Sequence, residues 1–271
     1  MICFPNAKIN LGLSVVERRP DGYHNLETVF YPVAGLEDAL EIHPASDLQT
    51  DCALHLYGNA VEGSIDDNLV VKAYRLLKAH HHLPPLHIYL YKRIPSGAGL
   101  GGGSADASFM LRLLNQRFEL ALSLEELEHY ASQLGADCPF FIRNTPTFAE
   151  GTGNLFSPIE LSLKGYGIVV IKPDVFVSTR EAFAHICPHR PLQSIREVLA
   201  QPVQTWRTAL VNDFERSVFR QHPEIAIVKQ RLYDSGAVYA SMSGSGSAVF
   251  GLYLPGVPLP EFQDSFVGVL T

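Results

Sequence analysis

The chain has 271 residues, 46% of them apolar, and carries 28 acidic against 21 basic side chains for a net charge of −7. Single cores stop growing near ~250–300 residues, so this length allows one large core or, more readily, two modest ones. The acidic balance argues against a nucleic-acid surface built on bulk charge, and an anionic ligand would need a local site.

Cysteines at Cys3, Cys52, Cys138 and Cys187 have neither the CxxC spacing of a zinc site nor the density of a secreted disulfide scaffold, which points to a reducing cytoplasm. The first residues, Met1 to Lys8, lack a basic stretch followed by a long apolar run. No later segment approaches the ~20 apolar residues of a membrane span. The expected protein is soluble and cytoplasmic, without membrane or nucleic-acid partners, and a monomer or weak homodimer.

In chain order, Leu69, Val70, Ala73, Leu76 and Leu77 recur at helical spacing behind Asp67 and Asn68, both good N-caps, and predict a helix near 68–80. His80, His81 and His82 follow it. Consecutive histidines diverge on a helix, so they read as a solvated helix end and not a metal cluster. Leu86, Ile88 and Leu90 alternate with polar and aromatic residues as a half-buried strand that runs into a glycine-rich segment, and a helix is predicted to start near Ser104. Ser123 and Glu126 make a capping box, with Gly135 as the left-handed terminator of that helix and Asp137 just beyond it.

The chain restarts after about Ser157. Gly167 to Ile171 reads as a buried strand, Ser194 to Glu197 as a second capping box, and helical patterns follow near 210–221 and 223–234. Ala237 to Ser241 and Ala248 to Leu254 read as strands joined by the loop Met242 to Ser247. The result is an α+β protein in two halves, 1–160 and 161–271.

The strongest chemical signal is Pro95, Ser96, Gly97, Ala98, Gly99, Leu100, Gly101, Gly102, Gly103, Ser104 and Ala105, placed between a strand and a helix. Glycines let the backbone approach a phosphate closely, and a helix N-terminus offers free N–H donors with about half a positive charge. The segment lacks the GxxxxGK(S/T) of a P-loop and the acidic ribose partner of a dinucleotide fold, which removes both of those readings. A bare surface turn would not need so many glycines, since each costs backbone entropy.

That run resembles the PxxxGLGSSAA phosphate loop of the GHMP kinases, the superfamily of galactokinase, homoserine kinase, mevalonate kinase and phosphomevalonate kinase. Gly102 and Gly103 replace its usual serines, a variant similar to one branch whose acceptor is a cytidine diphosphate sugar-alcohol. Pro5 to Leu11, Arg19 to His24, Asp67 to Leu69 and Leu134 to Phe141 resemble further motifs of that branch. Ser243 to Ser247 resembles the third GHMP motif.

The resemblance implies a two-domain GHMP kinase fold, with a ribosomal S5 domain 2-like N-terminal ATP-binding domain and a ferredoxin-like C-terminal domain. It implies an enzyme that phosphorylates an alcohol with ATP and Mg2+. Carried onto this sequence, Asp137 is the general base, and Lys8 holds it ionised and stabilises the developing alkoxide. The run Pro95 to Ala105 cradles the phosphates, Ser104 presents its hydroxyl to Mg2+, and Asn68 and Lys92 lie near the adenine and ribose. Tyr23, His24 and Phe183 hold the cytosine, Asn10 places the substrate beside Lys8, and Gly246 supports the phosphate centre. From the residues alone, N-capping for Asn68 and Ser104 and a solvated strand end for Lys92 stay open. A homoserine or mevalonate type of GHMP kinase is the alternative, and a non-catalytic nucleotide-binding sensor a further one.

Overall fold

The computed structural model describes all residues except Glu62, Asp264 and Thr271. Its elements run β1 (Ile2–Cys3), β2 (Asn6–Arg18), β3 (His24–Glu37), β4 (Ala39–Pro44), β5 (Cys52–Gly58), α1 (Leu69–Lys78), β6 (Leu86–Lys92), α2 (Gly102–Arg117), α3 (Leu124–Ser132) and α4 (Cys138–Arg143). They continue with β7 (Thr147–Glu150), β8 (Leu155–Pro158), β9 (Gly167–Ile171), α5 (Thr179–Phe183), α6 (Ile195–Leu199), α7 (Trp206–Ala209), α8 (Phe214–Gln221), α9 (Pro223–Asp234), β10 (Tyr239–Met242), β11 (Val249–Tyr253) and β12 (Ser265–Val269). Two compact units result: the first is Met1–Ala7, Gly35–Ser96 and Gly101–Thr145, the second Lys8–Ala34, Gly97–Leu100 and Pro146–Thr271.

The first unit holds a four-stranded sheet in the order β1-β4-β6-β5, with β5 parallel to β6 and the other pairs antiparallel. Its alternation has a physical cause. Leu40, Ile42, Leu54, Leu86, Ile88 and Leu90 point to one face and pack on Val70, Tyr74 and Leu77 of α1 and on Met110, Leu111 and Leu114 of α2. Fully burying such a side chain is worth roughly 1.5–3 kcal/mol. The Asn68 side chain caps α1 by accepting from the Val70 N–H at 3.0 Å.

In the second unit one sheet has the order β2-β3-β7-β8 and another, antiparallel throughout, the order β10-β11-β9-β12. Numbered along the chain, that second order is two-three-one-four, the ferredoxin-like arrangement the resemblance implied. Phe214 and Val218 of α8 and Ile225, Val228 and Leu232 of α9 pack on its Val169, Ile171, Val249 and Tyr253. Both capping boxes form, at Ser123 with Glu126 and at Ser194 with Glu197.

Three local expectations are corrected. The helix after the glycine run starts at Gly102, two residues before Ser104, because Gly101 takes up a left-handed φ of 73° and turns the chain without any side-chain cap. Gly135 is absent from the positive-φ glycines; the α3 helix ends at Ser132 with Gln133 as its C-cap, and the Gly135 N–H closes on the Ala131 carbonyl at 3.3 Å. The helix expected from residue 210 begins at Phe214, after a separate turn, α7, ends at Ala209. His80, His81 and His82 follow α1 as expected, and among the described residues no group of three or more His, Cys, Asp or Glu side chains is disposed to hold a metal.

Candidate active site

Within the first unit, β6 delivers Lys92 and α2 delivers Gly103 and Asp106 to a cleft that also takes in Asn68, Leu69 and Ser96. Leu56, Val61 and Ile65 add apolar walls. An amide side chain and a helix N-terminus beside an apolar wall suit a ligand that is part base and part phosphate.

Lys92 is not the solvated strand end that its position in the sequence allowed. Its side chain is 4% exposed, and its ammonium donates to Asp38 and, at 2.6 Å, to Asp106. Burial pulls the Lys92 pKa down, but the Asp106 and Asp38 carboxylates outweigh it and leave it raised. Asp38 also accepts the backbone N–H groups of Arg93 and Ile94. The Asp106 Oδ1 is buried with no hydrogen-bond partner. Burial therefore raises the Asp106 pKa, Lys92 opposes it, and Asp38 adds to it. A Cβ on Gly102 would press on Ile94 at 2.9 Å and reach the Lys92 ammonium at 3.4 Å, so that glycine lets the helix start settle over the ion pair.

Asp137 stands at the N-terminal end of α4, half-buried, with Pro139 in the first turn. The far end of α4 is anchored by Asn144, left-handed at φ 54°, whose side-chain amide exchanges hydrogen bonds with that of Asn6 at 2.7 and 3.2 Å. Cys138 is fully buried against α2, where Ser104 bonds its thiol and Ser108 donates to its carbonyl at 2.6 Å. Burial pushes the Cys138 thiol up to about 11, with the Ser104 bond opposing it. The fold thus brings Ser104 and the start of α4 together, and Ser104 is a first-turn residue and not the N-cap.

The second unit contains Lys8, Asn10, Tyr23, His24, Phe183, Gly246 and the loop segment Gly97–Leu100. The two glycine-bearing loops meet there backbone to backbone. A Cβ on Gly99 would lie 2.0 Å from the Ser243 carbonyl oxygen, and Gly99 itself has φ 75°, so no other residue fits. The Ser243 hydroxyl donates to the Gly99 carbonyl at 2.8 Å, and the Ala248 N–H to the Ala98 carbonyl at 3.1 Å. Asn212 stitches the same loop by donating to the Met242 and Gly244 carbonyls, both at 2.8 Å. Gly246, at φ 88°, leaves room for the Met242 sulfur, which a Cβ would meet at 2.7 Å.

Lys8 lies on β2 with its backbone N–H on the Leu100 carbonyl at 2.9 Å, its ammonium on Asn10 Oδ1 at 2.6 Å, and its Nζ 4.7 Å from the centre of the Phe30 ring. His24 stacks on Phe183 with ring centres 4.8 Å apart and planes 19° from parallel, and Phe183 meets the Phe214 ring edge-on at 4.7 Å. Tyr23, next to His24 in sequence, is 67% exposed. Burial, with a smaller contribution from Arg18, holds the His24 pKa below its ordinary value and favours the neutral imidazole.

The match to known proteins decides the family. The GHMP kinases N terminal domain matches residues 68–145 and the GHMP kinases C terminal domain residues 194–265. A protein of Bacteroides thetaiotaomicron named 4-diphosphocytidyl-2-C-methyl-D-erythritol kinase is 66% identical, over 96% of this chain and 95% of its own length. The chain belongs to the GHMP kinases. A second relative with that kinase name, from Parabacteroides distasonis, is 57% identical to this GHMP kinase over 98% of both chains. A crystal structure of 4-(cytidine 5'-diphospho)-2C-methyl-D-erythritol kinase superposes with a TM-score of 0.79 at 36% identity, covering 93% of this chain and 90% of that one. A homoserine kinase from Cytophaga hutchinsonii superposes at TM-score 0.63 with 17% identity, a likeness of fold alone.

Sequence reasoning missed Asp38, Asp106 and Asn212. Asp38 lies 54 residues from Lys92 and Asn212 about 30 from the carbonyls it bonds, so no local spacing could reveal them. Asp106 had one signal, a carboxylate on the same helix as the phosphate-loop glycines with apolar neighbours on both sides.

Proposed function

We propose that this GHMP kinase transfers the γ-phosphoryl group of ATP to the 2-hydroxyl of 4-diphosphocytidyl-2-C-methyl-D-erythritol, giving the 2-phosphate, a step of non-mevalonate isoprenoid precursor biosynthesis. The observation that carries this reading is the 66% and 57% identity, end to end, to kinases named for that acceptor. The His24 and Phe183 stack supports it, because homoserine or mevalonate has no base to place there.

In this reading the acceptor oxygen forms its bond to the γ-phosphorus while the bond to the bridging β-γ oxygen breaks and ADP leaves. Asp137 takes the hydroxyl proton, the Lys8 ammonium meets the charge that develops, and the N–H groups of residues 95–105 hold the phosphates. Asn68 and Lys92 serve the nucleoside end, Tyr23, His24 and Phe183 the cytosine, and Asn10 and Gly246 the reacting centre. The Ser104 hydroxyl suits a nucleotide-borne Mg2+, because this hard cation takes oxygen ligands and draws its remaining ones from phosphate and water. Ser104 would be its protein contact, and charge neutralisation on the transferred group its contribution. A division near residue 160 into an ATP-binding half and a C-terminal half belongs to the same proposal, supported by family matches that fall on either side.

The test is ADP release with Mg-ATP and the cytidyl acceptor, against 2-C-methyl-D-erythritol 4-phosphate, which lacks the cytidyl group. Release only with the cytidyl acceptor is expected; equal release with both would overturn the substrate assignment. Asp137→Ala should keep ATP binding and lose turnover by roughly 10²-fold or more, and near wild-type turnover would sink the base assignment.

A further inference from the structure

The buried polar cluster around Lys8 contains a residue to which the reaction has so far given no part. Thr28 is 1% exposed on β3, and Lys8 and Asn10 on β2 are 3% exposed each. Three hydrogen bonds join them into a line. Thr28 Oγ1 donates to the Gly12 carbonyl at 2.6 Å, Asn10 Nδ2 donates to Thr28 Oγ1 at 3.0 Å, and Lys8 Nζ donates to Asn10 Oδ1 at 2.6 Å.

The direction of this line is forced by the chemistry at its two ends. A backbone carbonyl can only accept, so the single proton of Thr28 is spent on Gly12 and its oxygen is left as an acceptor. The amide group that faces that oxygen must then be the NH2 of Asn10. At the other end an ammonium can only donate, so the group facing Lys8 must be the Asn10 oxygen. Turning the amide over would set oxygen against oxygen at Thr28 and N–H against N–H at Lys8, two unmade bonds where no solvent reaches. The Asn10 backbone is pinned separately. Its N–H donates to Ser243 Oγ at 3.2 Å, and that hydroxyl reaches the Gly99 carbonyl at 2.8 Å and, at 3.4 Å, the same Asn10 Oδ1 that faces Lys8.

We propose that Thr28 is a positioning residue for phosphoryl transfer, its hydroxyl locking the Asn10 amide in the one orientation that holds the Lys8 ammonium in place. This rests on the reading of Lys8 as the cation that meets the transferred group. A lysine ammonium on a flexible four-carbon stem stays at one point only if something holds it, and the buried Asn10 Oδ1 is an acceptor that does so. Its orientation is decided two bonds away. Displacement of a catalytic group by about 1 Å can cost on the order of 10²-fold in rate, without weakening the binding of the nucleotide.

The experiment measures kcat and the KM for ATP and for the cytidyl acceptor in Thr28→Val, Thr28→Ser and Lys8→Met, with thermal unfolding of each. Thr28→Val keeps the shape and loses the hydroxyl; Thr28→Ser keeps the hydroxyl and loses a methyl. Thr28→Val should lower kcat by roughly 10- to 100-fold with the KM for ATP within about twofold, and Thr28→Ser should restore kcat to within about threefold. A Thr28→Val enzyme with wild-type kcat overturns the proposal, as does equal loss in the Val and Ser variants, which would make the side-chain volume the agent. Lys8→Met should lose at least about 10²-fold. Near wild-type turnover there would remove the role of Lys8 itself, a failure separate from that of Thr28. Should Thr28→Val fail to fold, Thr28→Cys, with similar volume and a weak S–H donor, takes its place against Thr28→Ser.

Discussion

The two units solve the problem of buried polarity in opposite ways. In the first, the centre is ionic: Lys92 faces Asp38 and Asp106, with two carboxylates for one cation and an orphaned Asp106 oxygen. In the second, the Asn10 amide joins the Lys8 ammonium to hydroxyls and carbonyls through bonds whose donors and acceptors are each defined. An unbalanced ionic centre stores an electrostatic cost that responds to pH, whereas a directed line of hydrogen bonds stores directional information and responds to geometry. Mutations should therefore behave differently in the two places.

The largest effect is expected at Lys92. Lys92→Met leaves two carboxylates buried without a cation, and breaking such a pair costs about 3–5 kcal/mol, read as a loss of stability in chemical unfolding. A loss below about 1 kcal/mol would mean that the ion pair is open to water and would erase the contrast between the units. Gly99→Ala comes next. It forces a left-handed φ on alanine and drives a Cβ into the Ser243 carbonyl, for about 1–2 kcal/mol of backbone strain and a further ~1–3 of overpacking. Turnover should fall with stability, since both glycine loops must shift; unchanged turnover would uncouple the loops from the reaction.

The last effect concerns pH. The native Asp106 pKa is raised from 3.8 to about 7, so between those values the folded chain holds a proton that the unfolded chain has released. The unfolded state binds fewer protons there, and stability must fall as pH rises through that window. Asp106→Asn should flatten this slope while leaving stability below pH 3.8 nearly unchanged. An identical slope in the variant would assign it to other groups.

Legibility followed the range of the interaction. Both capping boxes, the α1 cap at Asn68, the alternation of β6 and the buried β9 depend on neighbours within four residues, and all were readable. The long β2 strand was not read as a strand, because its first ten residues are all buried and no alternation survives when both faces are covered. The α4 helix, six residues long, carries Asp137 yet has too few turns to show a period. At Gly135 the residue type suggested a left-handed end, but the chain closed on Ala131 and turned without it. Lys92 read as a strand end open to solvent because its two carboxylates are 54 and 14 residues distant.

By itself the sequence determined the chemical class. Glycines in that density before a helix admit little but an anion, and the motifs around Lys8, Asp137 and Ser243 carry the GHMP resemblance along the whole chain. What only tertiary structure decided is which polar groups face one another: that Lys92 is neutralised by Asp38 and Asp106, that Gly99 presses on the Ser243 carbonyl, and that Thr28 orients Asn10. The physical reason is that a hydrogen bond or ion pair is specified within about 3 Å of space, whereas the residues that make it are separated along the chain by distances that local propensity does not encode.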